Sequence, residues 1–113
     1  MIHPFVPDVG DLIWLTFDPR RGREQSGRRP ALVLSPAAYN SKTSLALVCT
    51  VTSQIKGYPF EVPLPSGLAV GGVVLSDHLK SLDWKARRAE IADHAPDEVL
   101  LDVLARLAPL LGY

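Results

Sequence analysis

The sequence predicts a mainly β fold (α+β) closed by a single helix at its C-terminus, and three observations predict it. Short runs rich in strand formers follow one another closely, turn residues separate them, and helical periodicity enters only after Pro96. Many short strands at such spacing suit a small barrel or sandwich. At 113 residues the chain is long enough for one compact domain and too short for two ordinary ones, so residues 1–113 are read as a single domain.

Asp11 to Phe17 (DLIWLTF) is rich in strand formers and lies between Gly10 and the turn signal Asp18-Pro19. Gly22 to Arg28 is polar and is read as a loop. Pro30 then opens the apolar run Ala31 to Leu34, a position where its missing N–H does least harm, and Ser35-Pro36 ends it. Leu45 to Thr52 is a third strand, with Leu45, Leu47, Cys49 and Val51 on one apolar face expected to look into the core. Lys56-Gly57-Tyr58-Pro59 turns the chain into a short strand, Phe60 to Val62. Gly71-Gly72 precedes Val73 to Leu75, and Leu79 to Trp84 and Arg88 to Ile91 are further expected strands. Pro96 suits a first helical position, and Asp97 and Glu98 suit the positive end of a helix dipole. Val99, Val103, Leu107 and Leu110 recur at helical spacing, Leu100, Leu104 and Leu111 widen the stripe, and Pro109 ends the helix near Ala108.

Apolar residues make up 47% of the chain, ordinary for a folded domain. No run approaches the roughly 18 apolar residues of a membrane span. Met1-Ile2-His3-Pro4 has neither the basic region nor the apolar core of a signal peptide, so no membrane association is expected. Cys49, the single cysteine, has no disulfide partner, and a reducing cytoplasm is the expected compartment. Formal net charge is zero, yet Arg20, Arg21, Arg23, Arg28 and Arg29 face only Glu24 in one stretch, while Asp97, Glu98 and Asp102 face only Arg106 in the last. Local charge, and not the total, decides whether a phosphate backbone can dock.

Four blocks now stand in order: Pro7-Asp8-Val9-Gly10-Asp11; Glu24 to Pro36 (EQSGRRPALVLSP); Cys49 to Ser53 with Lys56 to Val62; and Leu75 to Ser81 (LSDHLKS). Over Pro7 to Arg88 the chain resembles the MazF/PemK ribonuclease toxins. The resemblance implies an SH3-like β-barrel with a C-terminal helix, working as a homodimer. It also implies cleavage of single-stranded RNA at short motifs, and a cognate acidic antitoxin (MazE-like) whose extended segment covers the RNA groove. The residues matching the family's catalytic arginine and threonine are Arg29 and Thr52. The segment from Ala92 onward fits loosely, and the loop Pro65 to Gly72 is more apolar than the resemblance leads one to expect, departures that bear on specificity and partner choice more than on chemistry.

RNA carries its own nucleophile, the 2′-OH, so an enzyme need only position it and stabilise the charge on phosphorus. A guanidinium grips phosphate oxygens with paired hydrogen bonds and, with a pKa above about 12, is a poor proton shuttle. Arg29 is therefore assigned to transition-state stabilisation. The Thr52 hydroxyl would orient the phosphate or the 2′-OH. Glu24, the lone acid among arginines, is the candidate general base, although those arginines lower its pKa and weaken it; the alternative is an ion pair that holds the loop. Arg20, Arg21, Arg28, Ser53, Gln54 and Lys56 are expected to meet the RNA. Phe17 and Tyr58 would either stack on bases or pack in the core. Products would carry 2′,3′-cyclic phosphate and 5′-hydroxyl ends, with no metal or other cofactor.

His3, His78 and His94 lack ligand spacing. Asp77 and His78, adjacent on a strand, are expected on opposite faces and not as a couple. Cys49 is read as buried core. A competing function is a non-catalytic CcdB-like gyrase-binding toxin on the same fold, which has no need of Arg29 and Thr52.

Overall fold

A computed structural model describes residues 5–17 and 27–113. Six strands form one antiparallel sheet in the order β4-β5-β3-β2-β1-β6. They are β1 (Asp11–Thr16), β2 (Arg28–Val33), β3 (Leu45–Thr52), β4 (Glu61–Pro63), β5 (Val73–Asp83) and β6 (Glu90–His94). Helix α1 (Ala37–Thr43) bridges β2 and β3, and α2 (Asp97–Leu107) follows β6.

Both faces of the central strands are buried, so the sheet curls and its alternating side chains feed two cores. Leu12, Leu32, Cys49, Val51, Val62, Val70 and Val74 form one core with Val99 and Val103 of α2. Ile13, Leu15, Ala31, Val33, Ala46 and Val48 form the other, closed by Trp84. Alternation explains the division: Leu12 pairs with Leu32 and Ile13 with Ala31, so successive residues of one strand go to opposite cores. The expected mainly β barrel with a terminal helix is what the chain builds.

The boundaries differ from expectation in instructive places. On β3 the face carrying Cys49 and Val51 is buried as expected, but Leu47 of that face is 37% exposed while Ala46 and Val48 are fully buried on the other. The second core takes the first half of the strand and the first core takes the second half. Strand β2 begins at Arg28, ahead of Pro30, and β4 runs from Glu61 to Pro63. The two expected strands between Val73 and Trp84 are one continuous β5. The last strand starts at Glu90 and leaves Arg88 in a turn.

Helix α2 ends as its sequence dictates: Ala108 caps it, and Pro109 falls in a terminal 3-10 turn, Ala108–Leu111. Helix α1, which periodicity did not indicate, is held from outside itself. Asp8 Oδ1 accepts the Ala37 N–H at 2.9 Å, and Asn40, fully buried, donates to the carbonyls of Pro7 and Ser35. The Trp84 indole N–H in turn donates to the Asn40 carbonyl at 2.9 Å.

Candidate active site

The β2–β3 ladder runs Val33–Val48, Leu32–Cys49, Ala31–Thr50. Continuing it two residues past Ala31 and Thr50 brings Arg29 level with Thr52 on one face. Both line a cavity of about 480 Å³ whose other walls are Trp14, Pro30, Val51, Ser53, Gln54, Ala69, Val70 and Gly71. Arg29 is exposed and Thr52 half-buried at the strand end. Thr52 Oγ1 accepts the Gln54 N–H at 3.1 Å, which leaves the hydroxyl proton to be donated into the cavity.

Thr52 is held from behind by Gly72. Gly72 has φ +106, and a Cβ on it would lie 2.1 Å from the Thr52 carbonyl oxygen. Only glycine allows so close an approach. The apolar loop from Pro65 to Gly72 thereby supplies a wall of the cavity through Ala69, Val70 and Gly71.

A second cavity, about 350 Å³, shares Thr52 and Gln54 with the first and is walled further by Lys56, Tyr58, Phe60, Glu61, Leu75, Asp77 and His78. Glu61, 8% exposed, shapes this side. Its carboxylate accepts the Lys56 N–H at 3.1 Å and the Gly57 N–H at 2.9 Å, fixing the turn that presents Lys56 and a 60% exposed Tyr58. Asp77 and His78 both enter this cavity, which corrects the expectation that they face apart. Between the pairs Cys49–Leu79 and Val51–Val74 the register slips, so β3 advances two residues where β5 advances five. The bulge overrides alternation, and His78 Nε2 comes within 3.9 Å of Asp77 Oδ1.

Of the other residues singled out from sequence, Ser53 and Gln54 line the first cavity and Gln54, Lys56 and Tyr58 the second. Arg28 lies elsewhere: its guanidinium donates to Thr16 Oγ1 at 2.8 Å and to Glu90 Oε1 at 2.5 Å. Phe17 packs, partly buried, against the Trp84 core with Arg87 over its ring. Glu24, Arg20 and Arg21 fall outside the described residues. Cys49 is fully buried; burial first, then the Asp77 carboxylate, push its thiol up to about 12. Trp14 and Glu61 escaped the sequence reading, and the apolar character of the Pro65 to Gly72 loop was the visible signal for the Ala69–Gly71 wall.

This arrangement sets a cation and a hydroxyl at one end of a groove with polar and aromatic side chains along it. Over residues 8–111 the chain matches the family of the PemK-like, MazF-like toxin of type II toxin-antitoxin system. It is 50% identical over 113 residues to the endoribonuclease toxin MazF of Escherichia coli K12, covering 99% of this chain and 100% of that protein. It is 60% identical to MazF of Deinococcus radiodurans in a crystal structure, with TM-score 0.88 over 97% of this chain and 100% of that one. A MazE–MazF crystal structure from the same organism gives 57% identity and TM-score 0.88 over 96% of this chain and 98% of that one. The chain therefore belongs to the PemK-like, MazF-like toxins of type II toxin–antitoxin systems.

Proposed function

We propose that this toxin cuts single-stranded RNA in the groove that Arg29 and Thr52 share, by attack of the substrate's own 2′-OH on the adjacent phosphorus. By close homology to MazF the chain is an endoribonuclease. The observation that carries the finer reading is the placing of Arg29 and Thr52 on facing strand ends of one cavity. As the phosphorane forms, negative charge builds on its oxygens, and the Arg29 guanidinium meets it with a fixed positive charge. The Thr52 hydroxyl, its oxygen already engaged by Gln54 N–H, donates toward the phosphate or holds the 2′-OH in line. Glu24 is the candidate base that takes the 2′-OH proton. The P–O5′ bond breaks, and the products are a 2′,3′-cyclic phosphate and a 5′-hydroxyl. No step asks for a metal.

Lys56 and Tyr58, on the turn that Glu61 fixes, are suited to contact a phosphate and to stack on a base. In the cell the partners would be mRNA, a second copy of the chain, and an acidic MazE-like antitoxin. The antitoxin would order on binding and occupy the groove in place of RNA. No helix among the described residues is long and apolar enough to cross a membrane, and the cytoplasm is the proposed compartment.

The test is to incubate the protein and an Arg29→Ala variant with a long single-stranded RNA in excess EDTA and map every new end. Cuts at one short motif with 5′-hydroxyl ends, reduced at least about 10²-fold in the variant, are expected. Equal cutting by the variant would remove Arg29 from the chemistry. No cutting by the folded native protein, with gyrase bound instead, would favour the CcdB-like alternative.

A further inference from the structure

The turn between β5 and β6 carries three cations in four residues, Lys85-Ala86-Arg87-Arg88, and the cleavage chemistry uses none of them. Arg88 sits there at φ 56, in the left-handed region, held by its N–H to the Lys85 carbonyl at 3.1 Å. An L residue pays roughly 1–2 kcal/mol for this conformation, and glycine would make the same turn without that cost. A charged side chain at such a position points to a use for the side chain itself.

Arg88 lines a cavity of about 400 Å³ with Thr16, Arg28, Ala89 and Glu90. Two of the neighbouring arginines are already committed. Arg28 is oriented by Thr16 Oγ1, by the Arg87 carbonyl at 3.2 Å and by Glu90 Oε1. Arg87 donates to the Thr16 carbonyl at 3.2 Å and lies 5.7 Å over the Phe17 ring. Among the described residues, the Arg88 guanidinium has no hydrogen-bond or ion-pair partner, its backbone N–H alone being engaged, and Glu90 is the single acid in the wall. The cavity is thus a net cationic hollow with one guanidinium held in place and one available.

Its position matters as much as its charge. Thr16 pairs with Arg28 and Leu15 with Arg29 in the β1–β2 register. The hollow therefore lies one residue along β2 from Arg29. The Arg29 cavity and this hollow are thus lined by adjacent residues of one strand, Arg29 and Arg28.

We propose that the hollow between Arg28 and Arg88 binds a backbone phosphate of the RNA outside the cut site. This rests on the cleavage reading, because it takes RNA as the ligand. Arg88 makes the contact with its two parallel N–H donors, and Arg28, fixed by Glu90, forms the wall. A phosphate contact carries no sequence information, so it lengthens the footprint without altering the motif.

Substitution at Arg88 separates binding from folding. Arg88→Gly removes the guanidinium and relieves the backbone; Arg88→Ala removes it and keeps the strain; Arg88→Lys keeps the charge without the fork. The readouts are affinity for a long single-stranded RNA across a salt series, the map of cut sites, and thermal melting. Arg88→Gly and Arg88→Ala are expected to lose affinity alike, about three- to tenfold, with the slope of log K against log salt shallower by about 0.7 and the motif unchanged. Arg88→Lys falls between, and Arg88→Gly melts no lower than the native protein although it binds more weakly, which a purely structural role would not produce. Unchanged affinity and salt slope in Arg88→Gly would overturn the proposal. So would a loss confined to polyglutamate binding, which would assign the hollow to an acidic peptide. Failure of the cleavage reading itself shows separately, as Arg29→Ala cutting like the native protein.

Discussion

Gly72 approaches Thr52 more closely than any residue with a Cβ could, since that atom would lie 2.1 Å from the Thr52 carbonyl oxygen. Gly72→Ala must push the Thr52 backbone aside in addition to straining its own φ of +106. Misplacing a catalytic group by about 1 Å can cost on the order of 10²-fold in rate. Single-turnover cleavage by Gly72→Ala should fall by that order and melting should drop with it; undiminished cutting would show that the placement of Thr52 is immaterial. Cys49 makes a different prediction. Its folded-state thiol titrates near 12 against 9.0 for a free one, so the stability due to the neutral buried thiol is complete below pH 9 and is lost as pH rises toward 12. Urea unfolding from pH 8 upward should show the native protein weakening more steeply than Cys49→Ala. At this scale residue type and strand face marked Cys49 as core, and the family resemblance singled out Arg29 and Thr52, which the structure brings to one cavity. Glu61 was not legible, because its use is to hold two backbone N–H groups that only the folded turn brings to it.

Elements were legible where their signals lie within them. Helix α2 carries its own proline at the N-terminal boundary, which precedes the first helical residue Asp97, an acidic first turn and an apolar stripe, and the structure buries Val99, Val103 and Leu107 from that stripe. Helix α1 is only seven residues long and draws its support from elsewhere, so periodicity had nothing to register. Its exposed N–H at Ala37 is satisfied by Asp8, and the bonds from Ala37 and Val9 hold the Asp8 carboxyl below 3.8. A lowered folded-state pKa means this support is present above about pH 3.8 and is lost as the pH falls through the lower folded value. Asp8→Ala should therefore lower stability at neutral pH, and progressively less so in acid. Thermal melts at pH 7 and pH 2.5 would check it. The slip in β5 was equally hidden, because a bulge is a relation between two strands and neither strand's sequence contains it.

At the scale of the whole molecule, close spacing of short strands and one terminal helix were enough to indicate a small β-barrel, since few other arrangements bury so many short apolar runs. The division into two cores was not, because both faces of β1, β2 and β3 are apolar and alternation alone could not choose between them. Leu32, fully buried where β2 meets the α2 side of the sheet, should be expensive to truncate: Leu32→Ala is expected to cost about 2–5 kcal/mol in chemical unfolding. A domain of this size leaves much surface unburied, and a homodimer would show as a melting temperature that rises with protein concentration. The two tryptophans stand in opposite surroundings, Trp14 on the wall of the Arg29 cavity and Trp84 sealed at 5% exposure with its N–H on Asn40. The protein thus carries two optical reporters that need no label. Emission from Trp14 should change when an oligonucleotide enters the groove, and emission from Trp84 should shift only on unfolding. Single-tryptophan proteins made with Trp14→Phe or Trp84→Phe would let occupancy and integrity be followed separately in one cuvette.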